Sequence, residues 1–224
     1  MAWTRKNIIS YLSSSMIVFS DMFKLLLGTW YIYRLSRPPI TIFGGAQLKP
    51  ESPYHKQAAE LGKLCALNHL PILTGGGPGI MEASTCGAAQ VAGKVDAMAI
   101  RIKGLTNEVV KSNCASAVVN LDYFFARKWL LIQYSVGFVV FPGGFGTFDE
   151  LTDILNLVRT KKIKPSPIIL IGKDFWHPFV EWLNNSAIPA GAIQKEEITI
   201  FTITDSVEEA VNVLKKHDPN EPIG

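Results

Sequence analysis

The chain has 224 residues, of which 48% are hydrophobic and 18% charged, with a net charge of +3. That is an apolar but globular composition, long enough for one large α/β domain with a substantial core. No basic stripe interleaved with aromatics appears, which argues against a nucleic-acid partner. From the N-terminus, Ile8 to Tyr33 is rich in Leu, Ile, Met, Phe and Trp, but Asp21 and Lys24 interrupt any apolar run of spanning length and Ser13-Ser14-Ser15 dilutes its first half. No clear small-x-small cleavage site follows, so the segment reads as an apolar helix packed on the domain or on a second subunit. Residues 1–38 are therefore assigned as an N-terminal apolar helical extension, 39–217 as a single domain and 218–224 as a tail.

After the stiff Arg37-Pro38-Pro39 linker, Ile40 to Phe43 reads as the first strand and ends at Gly44-Gly45-Ala46. Ser52 before Pro53 starts a helix whose buried face is Tyr54, Ala58, Leu61 and Cys65. Leu70 to Thr74 is a second strand, closed by Gly75-Gly76-Gly77-Pro78-Gly79, after which a helix runs from Ile80 to about Gly93. Val95 to Ile100 and Ala117 to Leu121 are the third and fourth strands, with a loop between them containing Gly104, Asn107 and Asn113. Asp122 is placed to cap a helix from Tyr123 to about Tyr134. Val136 to Phe141 is apolar without alternation, as a strand covered on both faces should be. It breaks at Pro142-Gly143-Gly144 and restarts as a helix with Leu151, Ile154, Leu155 and Val158 at helical spacing. Pro167 to Ile171, Phe175 to about Asn184, Thr199 to Ile203 and Ser206 to Lys216 complete the alternation as strand, helix, strand, helix. The expected architecture is a Rossmann-like, doubly wound parallel sheet of about seven strands with helices on both faces.

In such a sheet ligands bind beyond the carboxyl ends of the strands, where strand order reverses. This chain places three glycine turns at those ends: Gly44-Gly45, Gly75 to Gly79, and Gly143 to Gly146. Glycine permits close backbone approach, and the unpaired N–H groups of a helix's first turn carry partial positive charge, so the last turn suits a phosphate. Thr147-Phe148-Asp149-Glu150 also fits a capping box, with Thr147 as the cap and both carboxylates in the first turn. A dinucleotide fingerprint fails, because Ile80 stands where the third glycine belongs and the next strand ends Ala99-Ile100-Arg101 without an acidic residue. No phosphate-loop lysine follows any glycine turn. Cys65, Cys86 and Cys114 are widely spaced, which argues against a disulfide framework and a zinc site and makes a reducing compartment the default. His55, His69, His177 and His217 show no paired ligand spacing, so neither a metal nor another cofactor is assigned.

Arg127 sits on an otherwise apolar helix stripe, where it either snorkels to solvent or pairs with an anion. Lys128 reads as a solvated helix residue, and Glu82 either complements its helix dipole or touches a ribose.

With Gly-Gly-Gly-Pro-Gly-Ile-Met-Glu-Ala at 75–83, Phe-Phe-Ala-Arg-Lys at 124–128 and Pro-Gly-Gly-Phe-Gly-Thr-Phe-Asp-Glu at 142–150, the chain resembles the LOG (LONELY GUY) family from about Ile40 to Val180. These are nucleoside 5′-monophosphate phosphoribohydrolases, often labelled lysine decarboxylase-like. The resemblance implies a cytoplasmic, dimeric hydrolase of the N-glycosidic bond of AMP-like or cytokinin nucleotides, releasing free base and ribose 5-phosphate. It further implies Arg127 and Glu150 as the catalytic pair and Gly143, Gly144, Gly146 and Thr147 as the phosphate turn. Gly44, Gly45, Gly76, Gly77, Lys128 and Glu82 join the substrate-binding set. Gly45 and Gln47 stand where members often carry Ser and Arg, and Asp149 where they often carry Glu. A molybdenum-cofactor carrier on the same scaffold is the competing expectation. Lysine decarboxylation is set aside, since no lysine lies in any of the three glycine turns to form a Schiff base.

Overall fold

In the computed structural model, residues 5–91, 96–104 and 114–217 are described, with side chains from residue 16 onward. The expected loop residues Asn107 and Asn113, together with Gly93, Val95 and the 218–224 tail, lie outside them; the helix expected to reach about Gly93 ends at Ala89, and the strand expected from Val95 begins at Ala97.

Seven parallel strands form one sheet in the order β4-β3-β2-β1-β5-β6-β7. They are β1 (Ile40–Phe43), β2 (Ile72–Thr74), β3 (Ala97–Ile102), β4 (Ala117–Leu121), β5 (Gly137–Val140), β6 (Ile168–Ile171) and β7 (Phe201–Thr204). The chain winds outward from β1 to β4, then returns to place β5 on the other side of β1, so the strand order reverses between β1 and β5. The helices are α1 (Arg5–Tyr33), α2 (Pro53–Leu67), α3 (Ile80–Ala89), α4 (Phe124–Gln133), α5 (Phe145–Arg159), α6 (Lys173–Trp182) and α7 (Val207–Lys216).

Strand side chains alternate between two cores. Ile40, Ile42, Val139, Phe141, Ile169 and Ile171 pack with α2, α3 and α7. Phe43, Phe138, Val140, Ile168 and Leu170 pack on the other face with α4, α5 and α6, joined by Ile32 of α1. Both faces of the central strands are covered, which is why β5 and β6 read as unbroken apolar runs. No helix among the described residues is long and apolar enough to cross a membrane.

Several boundaries move for local reasons. β2 starts two residues later than expected, because Leu70 donates back to Cys65 O at the end of α2 and Pro71 has no N–H. β3 instead runs on to Ile102, since Arg101 and Ile102 pair with Asn120 and Leu121. Lys195–Ile200 is a 3₁₀ segment, so β7 begins at Phe201 rather than Thr199. Asp122 does not cap α4. Its carboxylate bonds Lys24, and the turn leading into α4 is held from α1: the Asp21 carboxylate accepts the N–H groups of Asp122 at 2.9 Å and Tyr123 at 2.8 Å, the two residues before the helix. The pair of charges that breaks the apolar run of α1 is thus turned into the domain.

The expectation drawn from cysteine spacing is corrected in one respect. Cys86 of α3 and Cys114, three residues before β4, form a disulfide across 28 residues of sequence. The parallel β3–β4 pairing brings these segments together, which spacing alone does not reveal. Cys65 is free and fully buried, and that burial pushes its thiol up to about 12.

Candidate active site

The turns after β1 and β5 meet at the point of strand reversal. Phe141 N–H donates to Phe43 O at 2.9 Å and Gly45 N–H to Pro142 O at 3.0 Å, so the two loops are stitched together. A Cβ on Gly143 would lie 2.2 Å from Thr147 Oγ1 and 2.9 Å from Gly45 N, a space only glycine fits. The turn after β2 supports them from behind. Gly76 and Gly79 take φ of +69° and +67°, and Ile80 N–H donates to Gly45 O at 3.2 Å. Arg101 Nε fixes Gly76 O at 2.9 Å.

The expected capping box is not formed. α5 begins at Phe145 with Gly144 as its N-cap and no side-chain cap bond, so Thr147 is the third helical residue and Asp149 and Glu150 lie in the second turn. Phe148 N–H is the donor that reaches Gly144 O, at 3.0 Å. The N–H groups of Phe145, Gly146 and Thr147 therefore have no carbonyl inside the helix, and the helix dipole concentrates there. Gly144, Phe145 and Gly146 are exposed, whereas Thr147 is buried beneath them.

Arg127, the fourth residue of α4, is 6% exposed and does not snorkel. Its Nη2 lies 3.4 Å from Glu150 Oε1, and its buried Nε has no hydrogen-bond partner. It fits because Gly75 has no side chain: a Cβ there would lie 2.0 Å from Nη2. Lys128 is not simply solvated. It bridges Asp149 at 2.8 Å and Asp153 at 3.5 Å, tying α4 to α5. Burial lowers its pKa, but the Asp149 hydrogen bond and the charges of both aspartates outweigh that and hold the ammonium above its ordinary value.

These groups surround a cavity of about 640 Å³. Arg127, Glu150, Lys128, Gly44, Gly45, Gly143, Gly144, Gly146 and Thr147 line it. Gly76, Gly77 and Glu82 are not among its lining residues. Gly76 and Gly77 are buried in the supporting turn, and Glu82 is half-buried in the first turn of α3. The apolar wall, which sequence reasoning missed, includes Leu48, Tyr54, Met81, Phe124 and Phe175. No cluster of His, Cys, Asp or Glu able to hold a metal occurs among the described residues.

The doubly wound sheet with its glycine-lined rim defines a Rossmann-like α/β protein. A family model described as "Possible lysine decarboxylase" matches residues 81–214, well over half of the chain, and the chain belongs to that family, the LOG family that its glycine motifs resemble. Among similar curated proteins, "Cytokinin riboside 5′-monophosphate phosphoribohydrolase LOG4" of Arabidopsis thaliana is 25% identical over 80% of this chain and 83% of its own. The LOG enzyme of the same description from Oryza sativa subsp. japonica is 25% identical over 83% and 76%. Among solved structures, the molybdenum cofactor binding protein from Rippkaea orientalis matches with a TM-score of 0.59 at 24% identity, covering 81% of this chain and 98% of that one. The molybdenum cofactor carrier protein of Chlamydomonas reinhardtii gives 0.58 at 20%, covering 80% and 98%. At these identities the solved structures speak for the fold alone.

Proposed function

We propose that the protein hydrolyses the N-glycosidic bond of a nucleoside 5′-monophosphate, AMP or a cytokinin riboside 5′-monophosphate, to free base and ribose 5-phosphate. The observation that carries this reading is a buried arginine held against a carboxylate, beside an open helix N-terminus, in one cavity. The N–H groups at the start of α5 are suited to the phosphate dianion. Glu150 then faces the ribose. Its negative charge stabilises the oxocarbenium-like transition state, and as a base it takes a proton from the water that attacks C1′. The C1′–N bond breaks with its electron pair going to the base nitrogen, which is protonated as the base departs. Arg127 orients Glu150 through the contact at its Nη2. The apolar wall suits a planar base. A homodimer is part of the same reading.

The carrier reading draws on the solved neighbours, whose titles name molybdenum-cofactor binding. A carrier has no need of an ionised carboxylate at the sugar, so the Arg127–Glu150 pair favours the enzyme. Lysine decarboxylation is disfavoured further by Lys128, whose aspartate partners keep it protonated, the opposite of what Schiff-base formation requires.

The test is to incubate the protein with AMP and, separately, with a cytokinin riboside monophosphate, and to measure base release by chromatography. Glu150→Gln should lower kcat/KM by about 10²–10⁴ while leaving the circular dichroism unchanged. Binding of nucleotide without release of base from any monophosphate would move the assignment to the carrier.

A further inference from the structure

α1 has two apolar faces. One packs on the domain: Ile32 is buried, Gly28 lies against Leu130, and Asp21 holds the turn leading into α4. The other carries Met16, Phe19, Phe23, Leu26, Trp30 and Tyr33, which are 49–88% exposed. Their spacing alternates strictly between three and four residues. This is the 3.5-residue repeat of a seam that keeps facing another helix, rather than the broader stripe a 3.6-residue helix presents to a flat surface. The apolar residues flanking the seam, Ile17 and Met22 among them, are no more than 55% exposed, so the seam is the crest of the face. In the sequence, Ile9 and Leu12 continue the register for another heptad.

A helix apolar all round is ordinarily buried all round, and the domain covers only one side of this one. We infer that the seam of α1 packs against α1 of a second copy of this chain. The exposed fractions of the six seam residues amount to about four whole large side chains, on the order of 600–1000 Å² per copy, which meets the roughly 800 Å² per partner of a stable interface. Charge agrees, because the two charged residues between Met16 and Tyr33, Asp21 and Lys24, are turned inward and paired. A lipid surface is a poorer match. Helices that lie on membranes carry a Lys- and Arg-rich face toward water, and here the face opposite the seam is occupied by the domain.

The experiment is sedimentation equilibrium on the full chain and on Phe23→Glu/Leu26→Glu, with Leu67→Glu, an exposed apolar residue at the end of α2, as the matched control. The wild type and the control should contain the same even number of chains, and the double variant half that number, with unchanged circular dichroism. Because the readout is a halving relative to wild type, an additional interface elsewhere does not mask it. Equal masses for wild type and double variant overturn the inference. So does a wild-type monomer whose flotation with phosphatidylcholine–phosphatidylglycerol vesicles is lost in the double variant, which would assign the seam to lipid.

Discussion

Two helix N-termini border the same cavity, and the turns that lead into them are held differently. At α4 the two residues before the helix, Asp122 and Tyr123, donate their N–H groups to the buried Asp21 carboxylate, itself held by Lys24, so the turn ahead of Arg127 is fixed from within the protein. At α5 the cap is Gly144, no side chain bonds the first turn, and the residues around it are exposed. Orphan N–H groups are a cost wherever they are buried and an asset wherever an anion can reach them. The turn entering α4 is therefore tied down, and the start of α5 is left open for a ligand.

Breaking the tied turn should give the largest effect. Asp21→Ala removes both backbone bonds and leaves Lys24 with Asp122 alone, so we expect a loss of about 2–4 kcal/mol, approaching that of a broken buried ion pair. Urea denaturation should show a lower midpoint at unchanged m. The same group sets a pH dependence. Burial raises the Asp21 pKa, but the Lys24 hydrogen bond and the N–H groups of Asp122 and Tyr123 bring it below the ordinary value of 3.8. Its contribution is complete above that value and is lost as pH falls through the depressed one. Asp21→Asn should therefore flatten the acid limb of the stability profile while leaving its alkaline side in place.

Filling the open end sharpens the contrast. The Cβ position of Gly144 has free space around it, so Gly144→Asp supplies α5 with the carboxylate cap it lacks. Stability should rise by roughly a few tenths of a kcal/mol, the difference between a glycine and an aspartate cap. AMP affinity, read by calorimetry, should fall about tenfold to a hundredfold, because the new carboxylate occupies and repels the phosphate position. Equal or tighter binding would mean that this turn does not hold the phosphate. Gly75→Ala acts on the closed side of the cavity. Its methyl group meets Arg127 Nη2, displacing the guanidinium from Glu150, and should lower kcat about tenfold with little change in phosphate affinity.

What was legible in the sequence follows the range of the interactions. β1 ends where its apolar run ends, residue for residue, because a strand buried on both faces declares itself locally. The convergence of the glycine turns was legible too, since strand carboxyl ends share one edge. The start of α5 was misread because Thr147 and Glu150 have capping-box spacing, although three glycines from Gly143 to Gly146 let the helix begin earlier. Asp21 was read only as an interruption of an apolar run, for its partners lie about a hundred residues away. Arg127 was ambiguous between solvent and an anion, and it took the bare backbone at Gly75 to show that a guanidinium fits beneath the turn.

The smallest signal expected is chemical, and it concerns how the glycine-turn helix α3 is held. α4 is fixed at its start by charge, whereas α3 is fixed along its length by the Cys86–Cys114 bond to the segment entering β4. Cys65 is buried in the core under α2, with a thiol pushed up to about 12, so the thiolate that reacts with alkylating reagents is scarce at neutral pH even where the reagent can enter. Native protein prepared without reductant should therefore take up no label, denatured protein one, and denatured and reduced protein all three. Rapid labelling of two thiols in the native, unreduced protein would mean that α3 is held by packing alone and that its contact with Gly45 does not depend on the bond.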